Sequence, residues 1–375
     1  MALAPDRFLA QLDAVSRSYR QCADRSKERL RELWGRLTRQ PELVLPLLAM
    51  ADSAVFMLPR PLSPGSDIAL GQQPVRAAGH PYAVAAVDGS QIYPDRHEGV
   101  PFFLVRAAAV KFGYAAAGPS SFSTAERVQV HALHDGTGGH ESVGLPPALL
   151  VDRMRTELEL RLGAELAVSG EGDFPVLFDG SLVFWHLSSR QPAGDPFFTS
   201  YCESVHTCAQ AGVLTAWYTS LPQGRDFVNL VRAAFPGELA SGSRLFCDAE
   251  LLDGWLLPLH RTESLQSGAE IAGCYPPELA PAFFYLHTGG EIGRVELPAW
   301  IARQAALCDR VAALLIDQCA KGDGYPLCLA EAHEHVVVRG ADRELFFACA
   351  RDMLEREGGR VPLSRKALLK RRAGF

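Results

Sequence analysis

The chain has 375 residues, 48% of them hydrophobic, and a formal net charge of −6. That much apolar material supports a packed core in one large domain with elaborations or in two ordinary ones. The acidic balance argues against a surface coated in basic residues for nucleic acid, although acidic metal ligands can mask a local basic groove. No stretch of about 18 uncharged apolar residues occurs. The segment Met1-Ala2-Leu3-Ala4-Pro5-Asp6-Arg7 lacks a charged region followed by an apolar one. A cytoplasmic protein with no membrane association is therefore expected.

The nine cysteines are scattered without a C-x-x-C pair, so neither a disulfide framework nor a thiolate zinc site is indicated. Cys202, His206 and Cys208 lie close in sequence, but no second cluster completes four zinc ligands.

Residues 1–60 read as a helical arm. Phe8, Leu9, Leu12, Val15 and Tyr19, then Leu30, Leu33 and Leu37, then Val44, Leu47 and Leu48 recur at helical spacing. Pro41 and Pro46 break or restart the run. Residues 61–80 are rich in Pro, Gly and Ser and form a linker or loop. A main domain is expected over 81–350, followed by a C-terminal helix and basic tail over 351–375.

Within the main domain, apolar runs predict strands at 82–90 and 102–114, with a third at 128–130. A helix over 146–168 carries Leu150, Met154, Leu158 and Leu162 on one face. The strand ending at Asp179 follows, then a helix near 196–211, a strand at 212–218 and a helix at 226–235. Residues 283–286 and 292–296 read as paired strands around Gly289-Gly290, and 300–320 and 328–338 are helical. An early meander followed by alternating helices and strands predicts a mixed α/β sheet with helices on its faces.

The chemistry starts from a pattern that occurs twice: V-A-A-V-D-G-S at 84–90 and V-L-F-D-G-S at 176–181. Each places an aspartate at the end of a buried strand, with a glycine that lets the backbone turn. Asp88 and Asp179 can thus share a divalent cation, since hard cations take oxygen ligands fixed on rigid elements. The helix before Asp179 offers Glu157 and Glu159, about 200° apart around its axis, so only one of them faces a given site. Further on, G-Y-P-L-C-L-A-E-A-H at 324–333 puts Pro326 early in a helix, Tyr325 at its entrance and His333 about two turns in. A histidine there packs along an apolar face or serves as a metal ligand or general acid.

Taken in order, V-A-A-V-D-G-S-Q, the R-T-E-L-E helix before V-L-F-D-G-S-L, the strand A-W-Y-T-S-L-P, the segment A-F-F-Y-L-H-T-G-G-E-I-G-R-V-E-L-P-A-W and the Tyr325–His333 segment resemble the NurA nucleases from about residue 80 to 350. The resemblance implies an RNase H-like fold with a manganese-dependent nuclease site, holding two Mn²⁺ ions, with Mg²⁺ weaker. It implies action on single- and double-stranded DNA with 5′ to 3′ polarity, in end resection with a HerA-type hexameric ATPase, by a homodimer forming a ring. Carried over by position, Asp88 and Asp179 become metal ligands, His333 a ligand or catalytic histidine, and Tyr325 the tyrosine near the scissile phosphate. Glu159, which stands four residues after Arg155 and twenty before Asp179, is preferred over Glu157 as the third carboxylate. Arg294 and the tail residues Arg365, Lys366, Lys370 and Arg371 are the candidates for phosphate contacts, though a basic terminus is more often just solvated.

Two other readings compete. Asp-Gly-Ser turns also cradle phosphates in actin-like phosphotransferases and ATPases, which need further glycine-rich turns. A non-catalytic subunit docking on the translocase through its helical arm is the other, and the retained carboxylates speak against it.

Overall fold

A computed structural model describes residues 6–44, 47, 57–63, 68–115, 121–133, 145–169, 174–187, 194–239 and 246–358. The tail residues Arg365, Lys366, Lys370 and Arg371 lie outside them. Helix α1 (Asp6–Arg39) comes first, then β1 (Gln72–Pro74) and three long strands, β2 (Tyr82–Ile92), β3 (Phe102–Tyr114) and β4 (Ser121–Ala132). Next are α2 (Pro147–Val168), β5 (Val176–Asp179), α3 (Pro196–Gln210), β6 (Thr215–Thr219), α4 (Asp226–Ala234) and α5 (Asp248–Leu252). Short strands β7 (His260–Thr262) and β8 (Leu265–Gln266) precede β9 (Pro281–His287) and β10 (Ile292–Pro298). Helices α6 (Ala299–Ala302), α7 (Ala305–Lys321), α8 (Leu327–Val336) and α9 (Gly340–Arg356) complete the order. No helix among the described residues is long and apolar enough to cross a membrane.

The chain divides into two discontinuous units, Met1–Ala78 with Tyr218–Asp317, and Gly79–Trp217 with Gln318–Phe375. The stretch expected as one domain over 81–350 thus contributes to both. In the first unit β1, β7, β9 and β10 lie side by side, and every pairing among them is antiparallel. Leu30, Leu33, Trp34 and Leu37 of α1 pack into a core with Phe227, Leu230, Leu251, Phe283 and Tyr285, each worth roughly 1.5–3 kcal/mol of burial. Leu9, Leu12 and Val15, earlier on the same helix, stay exposed.

Arg294 belongs to this unit, and its placement corrects the expectation that it meets DNA. It is buried on β10, with Nε 2.7 Å from Glu296 and an Nη 2.7 Å from Asp226, and its guanidinium lies 3.8 Å from the Phe283 ring centroid. Every residue of β10 is buried, so a charge on it must find its counter-ion inside the protein. Arg294→Ala therefore takes the guanidinium away from buried Glu296 and half-buried Asp226 and costs about 3–5 kcal/mol of stability, read by urea denaturation. A variant of unchanged stability with weakened DNA binding would restore the phosphate-contact role.

The second unit carries the architecture that matters for the site. β2, β3 and β4 form an antiparallel meander, and β5 joins the other side of β2 in parallel. β6 lies beyond β5, giving the order β6-β5-β2-β3-β4. In units of the strands' own succession this is fifth-fourth-first-second-third, with helices packed on the sheet, which is the RNase H-like arrangement. β4 is much longer than the predicted 128–130, because the backbone ladder to β3 holds it from Ser121 to Ala132 while most of its side chains are exposed.

Candidate active site

β2 and β5 align Ala85 with Val176, Ala86 with Leu177 and Val87 with Phe178. Continuing that register by one residue sets Asp88 beside Asp179 on one face of the sheet, because strand side chains alternate. It is the face that α8 covers. Ser90, two residues after Asp88, donates its hydroxyl to the Val336 carbonyl of α8, and His333 of α8 places Nδ1 2.8 Å from Asp88 Oδ2. Tyr325, at the entrance to α8, hydrogen-bonds Asp179. The turn before it is tight: Gly324 has φ of 106°, and a Cβ on Gly322 would stand 2.1 Å from the Tyr325 carbonyl oxygen.

A sharp turn was expected at both Asp-Gly steps, and only the second makes one. Gly180 has φ of 93°, whereas β2 runs on through Gly89 to Ile92. What requires glycine at 89 is the approach of Glu159, since a Cβ there would sit 2.2 Å from its Oε1 and 2.8 Å from its Cδ. Gly163 works in the same direction one helical turn later: its Cβ would meet Phe178 Cζ at 2.5 Å. Two missing side chains thus let α2 press against the sheet and deliver Glu159 into the gap over Gly89. Glu157 turns elsewhere and accepts from Ser200 Oγ of α3 at 2.7 Å. Of the two helix glutamates, Glu159 is the one brought to the aspartates.

The electrostatics match this crowding. Burial pushes the Glu159 carboxyl up to about 7, Asp88 and Asp179 push it further in the same direction, and Arg155 opposes them. The Arg155 Nε lies 3.3 Å from Glu159 Oε1, one turn earlier on the helix as i,i+4 spacing dictates. Asp179 reaches solvent yet is also raised, by the surrounding protein and by Asp88, with Tyr325 and the Gly180 amide acting against the shift. Tyr325 is held well above its ordinary value by burial and by Asp179, so it remains a hydrogen-bond donor at neutral pH.

These residues suit a hard divalent cation. Three carboxylates and an imidazole supply oxygen donors with one nitrogen, and Glu159 Oε1 is buried with no hydrogen-bond partner. Arg155 meets that oxygen only as an ion pair at 3.3 Å, and a carboxylate oxygen lacking a hydrogen bond near two further carboxylates is the arrangement a cation relieves. Among the described residues, no three His, Cys, Asp or Glu side chains already stand at ligand spacing. Glu159 comes to β2 from the Gly89 side, the face opposite that of Asp88 and Asp179 by strand alternation, which keeps the three carboxylates from closing on one point. The Cys202, His206 and Cys208 group offers nothing comparable: Cys208 is buried, His206 bonds Gln210 at 2.9 Å, and burial pushes the Cys202 and Cys208 thiols up to about 12.

The NurA domain matches residues 82–338, a span that holds Asp88, Glu159, Asp179, Tyr325 and His333. Among solved structures, the crystal structure of LC9-RNase H1, described as a type 1 RNase H with the type 2 active-site motif, aligns at 13% identity and a TM-score of 0.24, over 48% of this chain and 82% of that one. No curated protein matches the sequence.

Proposed function

Because the chain belongs to the NurA family of DNA-end-processing nucleases, we propose that it is a manganese-dependent deoxyribonuclease working through Asp88, Glu159, Asp179, His333 and Tyr325. The observation that carries this reading is the side-by-side register of Asp88 and Asp179 with a Glu159 oxygen that lacks a hydrogen bond driven in over Gly89. Asp88, Asp179, Glu159 and His333 would hold two Mn²⁺ ions, with Mg²⁺ serving less well because one donor is nitrogen. When bound, such cations polarise the phosphodiester and lower the pKa of a water.

The chain's own groups divide the remaining work. With Nδ1 turned to Asp88, the Nε2 of the exposed His333 is the ring nitrogen left to face the site, and in the neutral imidazole its lone pair can ligate or accept a proton from water. Tyr325 stays protonated and gives its single hydroxyl hydrogen to Asp179, holding that carboxylate in place beside the phosphate. We read the substrate as linear single- and double-stranded DNA cut from 5′ to 3′, with endonuclease action on single strands, in end resection and double-strand break repair. A HerA-type hexameric ATPase is the proposed partner and a homodimer the proposed assembly. The domain match favours hydrolysis over the phosphotransferase reading of the Asp-Gly-Ser turns.

The test is cleavage of 5′- and 3′-labelled linear DNA and of circular DNA with Mn²⁺, Mg²⁺ or EDTA. Mn²⁺-dependent release from the 5′ end is expected, and EDTA-resistant or absent cleavage would overturn the reading. The two helix glutamates give an internal control. Glu159→Gln should lower cleavage about a hundredfold or more, since losing a charged ligand to the cations costs at least as much as losing one of their outer-shell partners. Glu157→Gln should leave it near wild type.

A further inference from the structure

Past Asp179 the chain makes a pinned loop. After the Gly180 turn, Ser181 Oγ accepts from the Val183 amide at 3.1 Å and from the Trp185 indole Nε1 at 3.0 Å. Tyr201 donates its hydroxyl to the Leu182 carbonyl at 2.7 Å, and its ring lies 4.9 Å from that of Phe184. Leu182, Val183 and Phe184 are all buried. In the middle of this fixed segment Trp185 is 57% exposed.

An indole left in water forgoes the burial that such a large apolar group normally gains. This one does not swing freely, because its only polar atom is tied to Ser181, and Ser181 stands two residues from Asp179. The tie also removes the indole N–H from any part in reading a base edge, leaving the ring face as what the residue offers. On the other aspartate-bearing strand, Tyr93, just past the end of β2, donates its hydroxyl to Asp152 of α2, so the chain is held beyond the carboxyl end of each strand.

We propose that Trp185 is the platform on which a nucleobase stacks at the mouth of the carboxylate site, holding the adjoining phosphate near Asp88 and Asp179. The proposal rests on the nuclease reading and deepens it. A ring face stacks on every base alike, so the platform gives affinity without sequence preference, and it requires a base free of its partner. Single strands and frayed ends therefore engage it directly.

The test is a binding cycle on the full chain in EDTA, where no cleavage intervenes. Wild type, Trp185→Ala and Trp185→Phe are titrated by fluorescence anisotropy against short labelled single strands carrying one abasic residue at successive positions from each end. Trp185→Ala should weaken binding of the intact strand about 5- to 150-fold, and Trp185→Phe should recover most of the loss. At one position the abasic residue should weaken wild type comparably while costing Trp185→Ala nothing more. A merely structural role for the indole leaves the abasic penalty equal in both proteins at every position, and that result, or unaltered binding by Trp185→Ala, overturns the proposal. Mn²⁺-dependent cleavage by the wild-type protein is scored alongside. Cleavage with no such coupling sinks the platform alone, whereas coupling without cleavage supports the platform and sinks the nuclease reading.

Discussion

Asp179→Asn should leave a folded protein whose Mn²⁺-dependent cleavage of linear DNA is reduced about a thousandfold or more, and Asp88→Asn should do the same. The size of the effect follows from geometry. The two carboxylates stand in parallel register on adjacent strands, so removing either takes away one of the two charges that would flank a shared cation. The fold should tolerate the change, because Asp179 reaches solvent at the strand end and an amide of the same shape still accepts from the Gly180 backbone and from Tyr325. Asp88→Asn keeps an acceptor for the Gly89 amide, which lies 2.7 Å from Asp88 Oδ1. Residues that act as one unit are grossly non-additive, so the double variant should fall little further than either single one. Full activity in both single variants, with melting curves like wild type, would remove the nuclease site from these residues. Equal but independent losses that multiply in the double variant would place the two aspartates in separate steps.

How much of this was legible beforehand can be judged residue by residue. The strand-terminal aspartates were visible because apolar runs ending in Asp-Gly-Ser are a local signal, and their shared face then follows from strand alternation. The choice between Glu157 and Glu159 was not legible from periodicity, which sets them about 200° apart without saying which side meets the sheet. Packing decides it, through Ser200 on one side and the missing Cβ of Gly89 on the other. The reason for Gly89 itself was misread for the same cause, since a close approach by a residue seventy positions away leaves no mark beside the glycine. β4 was mostly missed because Phe122, Val128 and Val130 are exposed among polar neighbours, so no burial pattern announces it. Arg294 carried a readable warning: an Arg and a Glu two apart in an otherwise apolar strand share a face, and a face that is buried demands that they pair.

Glu159 also makes the stability of the metal-free protein depend on pH, in a direction opposite to that of most carboxylates. Its carboxyl is raised from an ordinary 4.5 to about 7, so the folded state holds the proton more tightly than the unfolded chain does. The stabilisation is full below pH 4.5 and is lost as pH rises through 7, where the protein must either carry a buried charge beside Asp88 and Asp179 or open. Over that interval the loss amounts to about 3 kcal/mol, at roughly 1.4 kcal/mol per pH unit. Glu159→Gln cannot ionise, so its urea midpoint should fall less steeply between pH 5 and 8 than that of the metal-free wild type, the remaining slope coming from the other raised carboxyls, Asp179 and Asp248. Mn²⁺ should act as the counter-charge and flatten the wild-type profile too, and its affinity should rise about tenfold per pH unit up to pH 7, since binding must displace the proton. Wild type and Glu159→Gln with parallel stability profiles would show that the glutamate is already charged and partnered without metal. In that case Arg155, 3.3 Å away, would be its true counter-ion, and the third carboxylate would have to be sought elsewhere.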